Sequence, residues 1–303
     1  MSNEPISTDN AQRSTATPGA YIALILGVLT IGFAPIFVKL ADTTGDVVGF
    51  YRLAIGTSAI TLPLAIRWRQ GKVRLPRRSL WLAVLAGLAF ATDIGIWNQS
   101  LRYTTASSAT FLGNTAPIWV GLGAWWLLKE KLRPLYWLGL IVALGGAVLL
   151  VGLDGFKGSE AAIGNLMALS VGVAYAAYQL AASQARQSVD NLTFMWVFSL
   201  TGAIALGTAA LLLGSSFGGL STGNVLALLA LGLVTHIGGW LLINNTYAVL
   251  PASVVTVILL GQPIVATLFA APILGEVPTW LHVLGGLITI SGIYIVLRSR
   301  QAD

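Results

Sequence analysis

The side chains able to do chemistry in this chain are few, and they sit inside long apolar runs. The run at 223–247 carries His236, Trp240, Asn244 and Tyr247 at i, i+4, i+8 and i+11, which is one face of a helix. The run at 161–184 offers Tyr175, Tyr178 and Gln179 at i, i+3 and i+4, and the run at 79–101 offers Asp93, Trp97 and Ser100 on one face with Asn98 and Gln99 beside them. Thr110 and Asn114 lie in 104–128, Thr256 and Gln262 in 251–273, and Thr30, Phe33 and Phe37 in 19–41. Rings, amides and hydroxyls in that mixture suit a cavity that holds an apolar side chain against aromatic walls and hydrogen-bonds amino and carboxyl groups. The candidate substrate-binding residues are therefore Phe33, Trp97, Asn98, Thr110, Asn114, Tyr175, Tyr178, Gln179, His236, Trp240 and Asn244. The competing reading is that such residues tie helices together by bonding across them. Taken one residue at a time, ties have the edge; the 236–247 stripe as a set favours a cavity.

Two formal charges fall deep within apolar runs. Counting about 1.5 Å per residue, Arg52 lies roughly 10 Å and Asp93 roughly 13 Å below the same face of the membrane. Matched depths suggest a structural ion pair; the sharper reading is that Asp93 meets a substrate amine or a proton. His236 is either a proton relay or a hydrogen-bonding wall residue. Catalytic chemistry has little to work with. Cysteine is absent, the histidines are His236 and His282 alone, and no HExxH, GxSxG or GxxxxGK is found. The expectation is no metal, no cofactor, no enzymatic activity and no direct use of ATP.

The elements that hold these residues must be membrane helices. Of 303 residues, 56% are hydrophobic and only 9% are charged, against about 25% in soluble domains. Ten apolar runs are each long enough to cross roughly 30 Å of hydrocarbon, with limits near 19–41, 46–67, 79–101, 104–128, 133–152, 161–184, 191–213, 223–247, 251–273 and 278–297. Backbone groups in lipid must bond within the segment, so the runs are read as helices. Residues 1–18 are polar, without signal-peptide character, and read as a disordered cytoplasmic tail. With the N-terminus inside, thirteen of the seventeen basic residues fall on the cytoplasmic side, so both termini are placed there, in a bacterial inner membrane. The small basic excess is then a topology signal, not a nucleic-acid surface. Trp68, Trp81, Trp137 and Trp280 sit at span ends as interface anchors.

The chain also repeats itself. A shift of 146 residues lays 106–151 on 252–297 without a gap, matching Ala106/Ala252, Ser107/Ser253, Pro117/Pro263, Glu130/Glu276, Gly139/Gly285 and Gly146/Gly292, and it sets Asn98 on Asn244. Each copy has five spans. An odd number forces the second copy to enter the membrane in the opposite sense, so 19–152 and 161–297 are read as inverted five-helix repeats, the architecture of many secondary transporters. Pro35, Pro117 and Pro263 lie inside spans, and the mates Pro117 and Pro263 are candidate hinges. Glu130 and Glu276 are expected at turns. Gly139, Ala143 and Gly146, with Gly285, Thr289 and Gly292, supply small surfaces for helix packing or for dimerisation.

These stretches carry a family resemblance. The run from Asn98 to Ala109, then Pro117, the Glu130 turn and Gly139, together with Asn245 to Ser253, Pro263, Gly275-Glu276 and Gly285-Gly286, resembles the EamA-like branch of the drug/metabolite transporter superfamily. Within it, the chain looks most similar to YddG-type bacterial exporters of aromatic amino acids. The first repeat departs from the family's Gly-Glu turn by having Lys129-Glu130. The resemblance implies a ten-helix exporter of small organic solutes, amino acids with aromatic or hydrophobic side chains foremost, working by alternating access. Its partners would be a small-molecule substrate and the bilayer; a monomer is compatible with this. The alternatives are export of lipophilic cations or other metabolites and, further off, an intramembrane enzyme or a channel.

Overall fold

The computed structural model describes residues 18–100, 103, 112–151, 159–274 and 279–301. Every regular element among them is helical. In chain order they are α1 (Pro18–Ile31 and Ala34–Ala41), α2 (Gly45–Arg69), α3 (Arg77–Ser100), α4 (Ala116–Trp126), α5 (Pro134–Val151), α6 (Ser159–Ala185), α7 (Asn191–Leu212), α8 (Thr222–Ala230, a π-helical stretch Leu231–Gly239, and Trp240–Thr246), α9 (Ala252–Leu259 and Gln262–Leu274) and α10 (Trp280–Gln301). Among the described residues, eight of these are long and apolar enough to cross a membrane; α5 is a shorter apolar helix and α4 contributes 11 residues. The protein is an all-helical membrane protein built from two inverted five-helix repeats. Large apolar side chains point outward along its flanks, as at Leu62, Leu166, Leu211 and Val283, where lipid replaces water as the neighbour.

Three spans are broken rather than bent. α1 stops at Ile31 and restarts at Ala34, α9 stops at Leu259 and restarts at Gln262, and a turn at 114–115 precedes Ala116 in α4. Pro35, Pro117 and Pro263 each occupy the second position of the restarted helix. There the missing N–H costs nothing, because the first turn has no acceptor for it. The turns at 114–115 and 260–261 are 146 residues apart, so the breaks in α4 and α9 are repeat mates. Broken ends in hydrocarbon must find partners within the protein: Gln262 Nε2 donates to the Ile31 carbonyl at the α1 break (3.4 Å).

Glycine decides the closest crossing. Among the described residues, α5 and α10 form the most extensive helix pair. A Cβ on Gly146 would strike the backbone nitrogen of Thr289, and one on Gly292 would strike the backbone of Ala143. The two contacts are the same contact under the 146-residue shift. The small residues therefore serve packing within the chain. The remaining pairs follow the same symmetry: α3 lies on α6 as α8 lies on α1, and α2 packs on α7. The Lys129-Glu130 turn keeps a glycine-like shape, with Lys129 at φ 57°. An L-residue pays about 1–2 kcal/mol for that conformation. Glu130 accepts a hydrogen bond from the Ser253 hydroxyl at the start of α9, so this turn also ties one repeat to the other.

Candidate substrate site

The interior of the bundle is an aromatic box built from α3, α6, α7 and α8. Trp240 meets Phe90, Tyr175 and Tyr178 edge-on at centroid distances of 5.6, 6.3 and 5.3 Å. Phe90 also touches Tyr178 and Phe198 at 5.3 and 5.2 Å, and Tyr175 stacks on Tyr178 at 5.8 Å. These rings converge because their helices can approach closely. Gly87 of α3 faces the Phe198 carbonyl, and Gly56 of α2 faces the His236 ring so tightly that a Cβ would collide with it. His236 sits in the π-helical stretch, stacked on Phe198 (5.8 Å), with Nε2 hydrogen-bonded to Ser199 Oγ (2.7 Å) and Nδ1 without a partner. A π-turn inserts an extra residue per turn and re-aims the side chains around it. All four stripe residues, His236, Trp240, Asn244 and Tyr247, nevertheless point inward and are buried.

The box is sealed at one end, the end that carries Arg186 and the Arg67–Asp190 pair. Tyr178 donates to Asn244 Oδ1 (3.0 Å), Asn244 Nδ2 reaches Met195 Sδ (3.2 Å), and Tyr247 donates to Gln179 Oε1 (2.9 Å). Tyr178, Gln179, Asn244 and Tyr247 are all fully enclosed. In this conformation they tie α6 to α8. Arg186, in the turn after α6, closes the seal by donating Nε to the Asn244 carbonyl (3.0 Å) and Nη1 to the Val189 carbonyl, and it reaches Asn245 Oδ1 at 3.5 Å. Burial pushes its pKa down and the nearby Asp190 carboxylate counters this, so it remains a cation. Gln187 Nε2 adds a bond to the Tyr247 carbonyl (3.1 Å). Asp190 caps α7 by accepting from Thr193 N and Oγ1, and pairs with Arg67 of α2 at 3.3 Å. That last pair is at the surface and contributes little.

Toward the other end, polar groups deep in the spans remain partly accessible: Arg52, Asp93, Trp97, Asn114 and Tyr175. Arg52 and Asp93 feel each other electrostatically, yet the two side chains close no ion pair. The Arg52 guanidinium instead lies over the Phe90 ring, 5.6 Å from its centroid, and its Nε has no hydrogen-bond partner. The matched depths thus brought the two charges into one neighbourhood without joining them. Trp240 Nε1, Gln179 Nε2 and Asn114 Nδ2 are further buried donors without partners. An enclosed donor left unbonded is costly and marks a place for an acceptor.

Other candidate residues lie elsewhere. Phe33 packs on Phe269 (4.2 Å) and Phe37 (6.2 Å) at the α1 break, apart from the Trp240 box. Asn114 stands in the turn before α4, and neighbouring Thr115 bonds the Leu112 carbonyl (2.6 Å). Ser100 caps its own helix by donating to the Trp97 carbonyl (2.7 Å). Thr110, Glu276 and the side chain of Asn98 lie outside the described residues. Sequence reasoning missed Phe90, Phe198, Ser199 and Arg186. Phe90 was within reach, since it shares a helix face with Asp93 and Trp97 at i, i+3 and i+7. Arg186 is one of the basic residues on the side read as cytoplasmic, and nothing in the sequence sets it apart from the others. Among the described residues no cluster of His, Cys, Asp or Glu fit to hold a metal occurs.

A two-repeat helical bundle with a polar, aromatic interior in the bilayer defines a multi-pass membrane transporter. The chain belongs to the EamA-like transporter family, whose profile matches twice, at residues 18–152 and 162–298. It is 29% identical over 290 residues to an uncharacterized transporter of Archaeoglobus fulgidus, covering 93% of this chain and 98% of that one. It is 25% identical to the transporter YcxC of Bacillus subtilis, covering 90% and 91%. It is 26% identical over 130 residues to the inner membrane transporter YhbE of Escherichia coli, covering 42% and 39%. A crystal structure superposes with a TM-score of 0.78 at 19% identity, covering 95% of this chain and 99% of that one, which shows the shared fold.

Proposed function

We propose that this protein exports amino acids with aromatic or hydrophobic side chains across a bacterial inner membrane by alternating access, with both termini in the cytoplasm. The observation that carries the reading is the aromatic box of Phe90, Tyr175, Tyr178 and Trp240, tied shut at its basic end and flanked on the other side by the half-buried charged residues Arg52 and Asp93. Flat apolar walls hold an apolar side chain; the polar groups beside them hold a polar head. With the basic end placed in the cytoplasm, this conformation faces outward, and export requires the Tyr178–Asn244 and Gln179–Tyr247 bonds to open and re-form. Pro117 and Pro263, at matched helix breaks, are the hinges of that motion. Energy comes from the solute gradient or a coupled ion.

A second reading is favoured by one observation: Asp93 is a half-buried residue whose carboxylate closes no ion pair with Arg52, which suits a lipophilic cation. The Arg52 guanidinium in the same neighbourhood counts against a singly charged cation. Counterflow in proteoliposomes separates the two. Loaded phenylalanine, tryptophan or leucine is expected to drive uptake of its labelled form. Movement of a quaternary ammonium dye with no amino-acid counterflow would overturn the first reading and establish the second.

A further inference from the structure

Arg52 and Asp93 present a problem that the solute resolves. Each charge is set deep in a span, where an uncompensated charge is expensive. Each has its opposite in the neighbourhood, yet the two close no ion pair. The Arg52 guanidinium rests on the Phe90 ring with its Nε unbonded. The Asp93 carboxylate accepts no hydrogen bond among the described residues, and Asp93 and Tyr175 are half-buried rather than enclosed. A pair that existed to neutralise itself would have closed. Two opposite charges that share a neighbourhood without bonding each other leave a positive donor fork and a negative acceptor beside the aromatic cluster, each with capacity for another partner.

We propose that Arg52 and Asp93 form a two-point clamp for a zwitterion, Arg52 taking the carboxylate and Asp93 the ammonium group of one α-amino acid, while its side chain lies in the corner of Phe90, Tyr175 and Trp240. The guanidinium is a planar fork of donors that matches a carboxylate in two bonds, and the ring beneath it holds the fork's plane. Asp93 offers only acceptors, which an ammonium group satisfies. Phe90, one turn from Asp93 on α3 and directly under Arg52, sets the side-chain corner adjacent to both head-group contacts. The clamp is neutral as a whole. It selects against an amine lacking a carboxylate through Arg52, and against an acid lacking an amine through Asp93. The assignment rests on the amino-acid reading above and adds to it which residue holds which end.

The test is competition against labelled phenylalanine counterflow in proteoliposomes, using phenylethylamine, which lacks the carboxylate, and 3-phenylpropanoate, which lacks the amine. In the wild-type protein each is expected to compete at least about 10-fold less well than phenylalanine, the loss of one or two charged hydrogen bonds. Arg52→Gln is expected to shrink the preference over phenylethylamine while keeping the preference over 3-phenylpropanoate; Asp93→Asn is expected to do the reverse. A residue with a purely structural role would lower transport without exchanging one selectivity for the other. If both analogues compete within about threefold of phenylalanine in the wild-type protein, the clamp is wrong and amino-acid export stands. If no amino acid shows counterflow at all, the amino-acid reading itself is wrong. Should either variant fail to fold, as judged by gel filtration, the wild-type competition alone decides.

Discussion

Arg186 gives the seal at the basic end a strength that can be calculated and measured. Its side chain makes three contacts, and they differ in what opening would do to them. The bond to Val189 lies within its own turn and survives; the bond to the Asn244 carbonyl at 3.0 Å, with the longer reach to Asn245 Oδ1, joins that turn to the end of α8 and is lost when the two part. One charged hydrogen bond contributes about 1.5–3 kcal/mol. Replacing Arg186 with Gln should therefore raise the open fraction of the seal by about 10- to 150-fold. The chain has no cysteine, so a single introduced thiol reports without background. Ser183, buried one turn before Arg186, is the place for it, because Ser183→Cys changes one atom. When opening is fast relative to labelling, the modification rate by a membrane-impermeant maleimide tracks the open population. The expected result is slow labelling in Ser183→Cys and acceleration in that range in the Arg186→Gln background. A change smaller than about threefold would refute the assignment of Arg186 as a latch.

Three further outcomes follow from the packing. Trp240→Ala removes a ring that touches three others and is expected to cost about 3–5 kcal/mol in thermal stability and most of the transport, with membrane insertion retained; wild-type transport by that variant would remove the aromatic-wall assignment. Gly146→Ala and Gly292→Ala press the same symmetric crossing and are expected to lose similar stability, about 1–3 kcal/mol each, measured as melting shifts in detergent; a loss at one site only would contradict the equivalence of the two contacts. Lys129→Gly relieves a left-handed backbone and is expected to raise stability by up to about 1 kcal/mol, with no change in transport.

Much of the fold was legible because bilayer thickness and helix rise together set how long an apolar run must be. The run read as 191–213 is Asn191–Leu212, and the run read as 223–247 is Thr222–Thr246. What stayed hidden has a physical reason. Helices between lipid and protein are apolar on every side, so no periodicity separates Phe90 and Phe198, which line the box, from Leu211 and Val283, which face lipid. A proline in such a run signals a disturbed helix, but kink and break differ only in whether the preceding residues leave the helix, as they do at 32–33, 114–115 and 260–261. The π-helical stretch around His236 has no marker in the residue pattern. The stripe on α8 is visible as a stripe, but the engagement of Asn244 and Tyr247 with Tyr178 and Gln179 depends on how α6 packs against it, which the stripe does not encode. Depth counting found the Arg52 and Asp93 neighbourhood, but whether the two side chains close a pair depends on side-chain direction, which depth does not carry.

The crossing of α5 and α10 has one more consequence. Gly146 against Thr289 and Ala143 against Gly292 are one contact written twice, so the seam has the form of the self-complementary interface in a two-fold dimer. It therefore sits on the axis that relates the halves. In the alternating-access cycle proposed above, the halves exchange shapes and points on that axis keep their places. The seam is then a fulcrum, and a covalent staple across it would leave the machine free to run.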